Sequence, residues 1–130
     1  MSRLISLIAL LALLTVASVA CADVTIGMPT AGSTVGPSTA VTGMCSQRAF
    51  LVVYSEVIDA NNVPIGTVPG IRHWTNDNNS FGVRISTPRL LSQADEHLTY
   101  EIHVKAYSHA PKSMDDAPDL GEAQVSVDSH

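Results

Sequence analysis

Aromatic rings are scarce in this chain of 130 residues, which has one tryptophan, three tyrosines and two phenylalanines. A surface that stacks sugars would have to be assembled from very few of them, with Trp74 flanked by Tyr54 and Tyr107 as the best set. Cations are few as well. Beyond Arg3, six lysine and arginine side chains stand against twelve aspartates and glutamates. Such a surface repels phosphate backbones and anionic lipid, which argues against nucleic acid as a partner and against a basic membrane-binding patch. There is no Gly-x-Ser-x-Gly elbow, no His-Glu-x-x-His, and no Walker or dinucleotide glycine pattern. The expectation is therefore a protein that is not an enzyme and carries no cofactor. After Asp23 no stretch sustains an apolar period of about 3.6 residues, so long amphipathic helices are not expected.

What the sequence does contain begins with its only long apolar run. Arg3 precedes an uncharged stretch from Leu4 to Ala17, and small residues follow at Ala20, Cys21 and Ala22. A positive start, an apolar middle and an Ala-x-Ala end describe an export signal. The run is short for a membrane span, which takes about 20 residues. Residues 1–22 are read as a cleaved signal peptide, and residues 23–130 as one domain working in the periplasm or secreted.

The two cysteines, Cys21 and Cys45, leave three fates open. A lipoprotein signal ending at residue 20 would leave Cys21 acylated and the protein anchored by lipid, although Ser18 stands where the bacterial lipobox usually carries leucine. Cleavage after Ala22 would leave Cys45 as a lone thiol in an oxidising compartment. Cleavage after Ala20 would allow a Cys21–Cys45 disulfide. A hairpin of residues 23–28 and 38–44 centred near Ser33 and Thr34 places Cys45 opposite residue 22, and a bridge there would add about 3 kcal/mol.

Short β-branched and aromatic runs separated by Gly, Pro, Asn and Asp fill the rest of the chain. Strands are expected at Val24–Met28, Thr39–Cys45 and Phe50–Ile58, the last being the strongest. Val63–Val68 and Ile71–Trp74 read as two edge strands, with Pro64 and Pro69 blocking ladder donation. Asp59–Asn62 and Asn76–Ser80 read as turns, Phe81–Ser86 as a strand, and Leu90–Asp95 as a single helical turn. From Leu98 to Tyr107 the pattern alternates, with Leu98, Tyr100, Ile102, Val104 and Ala106 on one face and Thr99, Glu101, His103 and Lys105 on the other. A polar loop from His109 to Asp119 leads to a closing strand in which Ala123, Val125 and Val127 alternate with Gln124, Ser126 and Asp128. Seven or eight strands of this kind indicate an all-β antiparallel sandwich.

The segment Val24-Thr-Ile-Gly-Met-Pro-Thr-Ala-Gly-Ser-Thr-Val, followed by Gly36-Pro-Ser-Thr-Ala-Val-Thr-Gly43, resembles the opening hairpin of bacterial extracytoplasmic immunoglobulin-like (Big/Gmad2-like) domains. Ser80 to Pro88 and Leu98 to Ala106 resemble the E and F strands of the same family. Tyr100 stands where those folds place a tyrosine corner, and Ile102 takes the position of the core cysteine of antibody domains. Residues 60–77 and 108–119 depart from the pattern. The resemblance implies an immunoglobulin-like sandwich serving as a binding, adhesion or spacer module with no shared catalytic site.

Three sharper readings compete with bland ones. His97, His103 and His109 with Met28, Met44 and Met114 supply imidazole and thioether groups of the kind copper takes. Their spacing matches no tight motif, and His103 on a polar strand face reads as solvated. Asp115, Asp116 and Asp119, or the Asn- and Asp-rich turns, offer oxygens to calcium, yet Asx turns give the same composition without an ion. Trp74 is either a core ring or a ligand platform.

The reading adopted from sequence is a non-catalytic binding or interaction module of the cell envelope. It would contact an envelope protein or a surface glycan through Arg72, His73, Trp74 and Tyr107, since loops on a rigid sandwich are where recognition sits. The alternatives are a small metal-handling protein, for copper or calcium, and a Cys45-linked covalent homodimer.

Overall fold

The computed structural model describes residues 23–88, 98–113 and 115–129. Over these residues the chain forms eight strands: β1 (Val24–Met28), β2 (Thr34–Val35), β3 (Ser38–Cys45), β4 (Phe50–Ile58), β5 (Pro64–Trp74), β6 (Ser80–Ser86), β7 (Thr99–Tyr107) and β8 (Gly121–Ser129). They divide into a three-stranded sheet ordered β1-β3-β6 and a five-stranded sheet ordered β2-β8-β7-β4-β5. Neighbours are antiparallel except β2 and β8, which run parallel. Among the described residues no helix is long and apolar enough to cross a membrane. The helical turn expected at Leu90–Asp95 falls outside the described residues.

The period-two patterning decides which face of each strand is inside. Tyr100, Ile102, Val104 and Ala106 of β7 are all fully buried, as their alternation requires. They join Leu51, Val53 and Val57 of β4, Val41 and Cys45 of β3, and Phe81 and Ile85 of β6 in one core between the two sheets. Each fully buried Val, Ile, Leu or Phe contributes about 1.5–3 kcal/mol. Where the core takes in hydroxyls it mostly pairs them. Thr87 donates to the Gly36 carbonyl at 2.6 Å, which leaves Thr39 to donate to Thr87 at 2.7 Å.

Two sequence expectations need correction. The first hairpin pairs Val24 with Cys45 and Thr25 with Met44, so Cys45 does not face residue 22. The reason is that Thr34 and Val35 do not sit in the hairpin tip. They cross to the other sheet and pair with Asp128 and Ser129 of β8, and a register shift between Ile26 and Met28 absorbs the change. Cys21 lies outside the described residues, whereas Cys45 is a buried free thiol. Burial, followed by the charge of Asp23, pushes that thiol up from its ordinary range and keeps it protonated. Second, the two short edge strands are one strand, β5. Its ladder with β4 shifts register between Val53 and Ser55, where Pro69 and Gly70 of β5 bulge opposite Tyr54.

Candidate functional site

β4 and β7 lie side by side inside the five-stranded sheet, and their second faces look away from the core. That outer face carries Phe50, Val52, Tyr54 and Glu56 from β4, opposite Tyr107, Lys105, His103 and Glu101 from β7. Glu122 of β8 pairs with Lys105, while Trp74 and Arg72 of β5 pair with Phe50 and Val52. Two groupings form on this surface.

The first is centred on His103. The His103 side chain is only 8% exposed, because the Tyr54 ring opposite lies parallel to it, 4.9 Å between centroids and 9° between planes. Three glutamates close around its edge. Nδ1 is 2.8 Å from Glu122 Oε2. Nε2 lies 2.9 Å from Glu56 Oε1 and 2.9 Å from Glu101 Oε1, yet makes a well-directed hydrogen bond to neither. The donor atoms of Glu56, Glu101 and His103 all fall within 4.8 Å of one another. Lys105 borders the group, its ammonium 5.4 Å from the Tyr54 ring centre. Burial alone would pull that ammonium down. The Tyr54 hydroxyl and the charge of Glu122 outweigh burial and hold it above its ordinary value.

The second grouping occupies the end of the face where β4 begins and β5 ends. Trp74 meets Phe50 edge-on with centroids 5.4 Å apart. The Arg48 guanidinium lies 5.0 Å from the Trp74 ring centre, and that of Arg72 lies 5.5 Å from the Phe50 ring centre. Arg72 Nη2 donates to the Pro111 carbonyl at 2.9 Å, and the Tyr107 hydroxyl donates to the Asp116 carbonyl at 2.9 Å. The long loop is thereby held beside this end. An open hollow of about 320 Å³ adjoins it at the β5 bulge, bounded by Val52, Tyr54, Thr67, Pro69, Ile71 and Arg72.

Arg72, Trp74 and Tyr107, singled out from sequence, do converge here. His73 does not join them, because it pairs with Leu51 of the core-facing set and so lies on the other face of its strand. Trp74 is only partly buried and is no member of the core cluster, while Tyr107 is buried and its hydroxyl committed.

Among the described residues the proposed copper set is not assembled. Met28 and Met44 are exposed on the three-stranded sheet, away from His103, and His109 sits exposed in the long loop. His97 and Met114 lie outside the described residues. The reading of His103 as solvated is overturned by its cover of Tyr54 and three glutamates. Only the strand partners reveal that cover, since Tyr54 and Glu56 lie far off in sequence.

The acidic turns have local duties. Asp59 Oδ1 accepts from the amides of Asn61 and Val63, both at 2.9 Å. Asp116 accepts from Lys112 and Ser113, and Asp119 from the amide and hydroxyl of Ser108. The Ser108 bonds hold the Asp119 carboxyl below its usual range.

Comparison with family models, with curated proteins and with solved structures finds no match to this chain.

Proposed function

We propose that this chain is an exported, non-catalytic binding module with an immunoglobulin-like sandwich fold, holding an envelope protein through the Arg48, Phe50, Arg72 and Trp74 end of its outer face. The strand orders β1-β3-β6 and β2-β8-β7-β4-β5, with β2 parallel to β8, match an A-B-E sheet against an A′-G-F-C-C′ sheet. Tyr100 supports the same assignment, since its hydroxyl donates to the Pro88 carbonyl upstream, as a tyrosine corner does. The export signal read in residues 1–22 supplies the address.

The observation that carries the binding role is the concentration of two guanidiniums on two aromatic rings beside an apolar hollow, in a chain with an excess of acidic groups. Aromatic and arginine side chains are the residue types that anchor interfaces. Such a seat suits a protein segment presenting a carboxylate next to an apolar side chain, with the arginines steering it.

A photo-crosslinking residue at position 67, exposed on the rim of the hollow beside the patch, tests the reading in the producing cells. The expected result is one discrete protein adduct, lost in Trp74→Ala while the midpoint of thermal unfolding moves by only a few degrees. A glycan adduct would replace the protein partner. A fall in stability of many degrees would make Trp74 a packing residue and end the proposal.

A further inference from the structure

We propose that Glu56, Glu101 and His103 are the ligands of a divalent transition-metal site of the zinc class, with Glu122 as the residue that positions the imidazole. This does not rest on the binding-module reading and uses the other grouping on the outer face.

The buried nitrogen is the starting point. His103 Nε2 is shielded from solvent, has no hydrogen-bond partner among the described residues and faces two carboxylate oxygens at 2.9 Å each. Buried polar atoms are seldom left in that state. Glu122 on Nδ1 gives the reason: a carboxylate accepting the Nδ1 hydrogen fixes the tautomer in which Nε2 carries a lone pair. A carboxylate–histidine–metal relay has this form, and here every part is present on three adjacent strands.

Charge points the same way. Glu56 and Glu101 are direct cross-strand partners, and like charges directly opposite each other destabilise a sheet. With Glu122 they place three negative charges around one imidazole. Lys105 offsets one of them, and a dication offsets the other two. Spacing also agrees. Ligand atoms about 2.1 Å from one ion stand roughly 3.0–3.4 Å apart, so the 2.9 Å separations need only a slight outward turn of the carboxylates. The Glu56 and Glu101 side chains keep 27% and 30% of their surface exposed, which lets the ion enter and leaves coordination positions for water.

A nitrogen with two carboxylates suits zinc and its neighbours. Calcium and magnesium favour all-oxygen shells, and among the described residues no thioether is grouped with these ligands for Cu(I).

The experiment is calorimetric titration of the chelator-stripped mature protein with zinc chloride alone. One saturable equivalent is expected, with no heat from calcium chloride. A cobalt-loaded sample should show ligand-field bands without a sulfur charge-transfer band, separating this site from Cys45. Glu56→Gln with Glu101→Gln should weaken zinc binding at least a hundredfold while leaving the urea midpoint equal or higher, since the repelling pair is gone. Glu122→Gln, which keeps all three ligands, should weaken it about 10–100-fold. A folded wild-type protein that takes up no zinc overturns the proposal. So does an affinity unchanged by the double substitution.

Discussion

The carbonyl oxygen of Val53 occupies the space where a side chain at position 70 would begin: a Cβ built on Gly70 would stand 1.6 Å from it. The contact sits at the bulge that sets the register of β5 and so aims Arg72 and Trp74 onto the outer face. Gly70→Ala must push β5 away from β4. The expected loss is about 2–4 kcal/mol, read as a lower urea midpoint at unchanged slope. Trp74 is the only tryptophan, so its fluorescence should shift in the folded variant.

Ser55 shows the reverse case. It is fully buried on the inner face of β4, and its hydroxyl has no hydrogen-bond partner among the described residues. A hydroxyl buried without a partner costs about 1–3 kcal/mol. Ser55→Ala removes one small polar atom from an apolar setting and should raise the urea midpoint by an amount equivalent to about 1 kcal/mol. Unchanged or lower stability would mean that the hydroxyl is satisfied in solution.

Alkaline titration should weaken the fold in a defined window. Burial pushes the Tyr100 phenol above its ordinary range, and burial followed by the charge of Asp23 does the same for the Cys45 thiol. A group whose folded value is raised binds its proton more tightly when folded. Its stabilisation is complete below the unfolded value and is lost as pH rises through the folded one. For Cys45 the decline begins near pH 8.5 and for Tyr100 near pH 10, the unperturbed values. Urea midpoints measured from pH 7 to 11 should fall along this course, and Tyr100→Phe should flatten the upper part. In the folded protein at pH 8, Cys45 should react slowly with a thiol reagent.

Most strand positions are legible from local pattern, and the alternation of β7 is the clearest example. Its four inward residues, Tyr100, Ile102, Val104 and Ala106, and Leu98 just before it are fixed by period alone and are all buried. The start of the chain read less well. Whether Thr34 and Val35 close a hairpin or cross between sheets depends on β8, almost a hundred residues later. His103 was misread for the same reason. On its own strand it has Glu101 and Lys105 as polar neighbours, and a solvated face follows. Its cover comes from Tyr54, Glu56 and Glu122, which reach it only through the pairing of β4 and β8 with β7. Arg72, His73 and Trp74 read from sequence as one irregular recognition segment; they lie instead on strand β5, where Arg72 and Trp74 share a face and His73, between them, faces the other way.

The short parallel contact between β2 and β8 sets how the molecule carries mechanical load. Thr34 and Val35 lie beside Asp128 and Ser129, and Gly32 and Asp128 add backbone bonds to Ser126 and Ser33, each at 2.8 Å. A pull between Asp23 and Ser129 draws the two strands in opposite senses along their common axis. Their hydrogen bonds then bear the tension together in shear instead of opening one after another. The few residues of β2 therefore act as a clasp, and the core is sheltered until that clasp gives way.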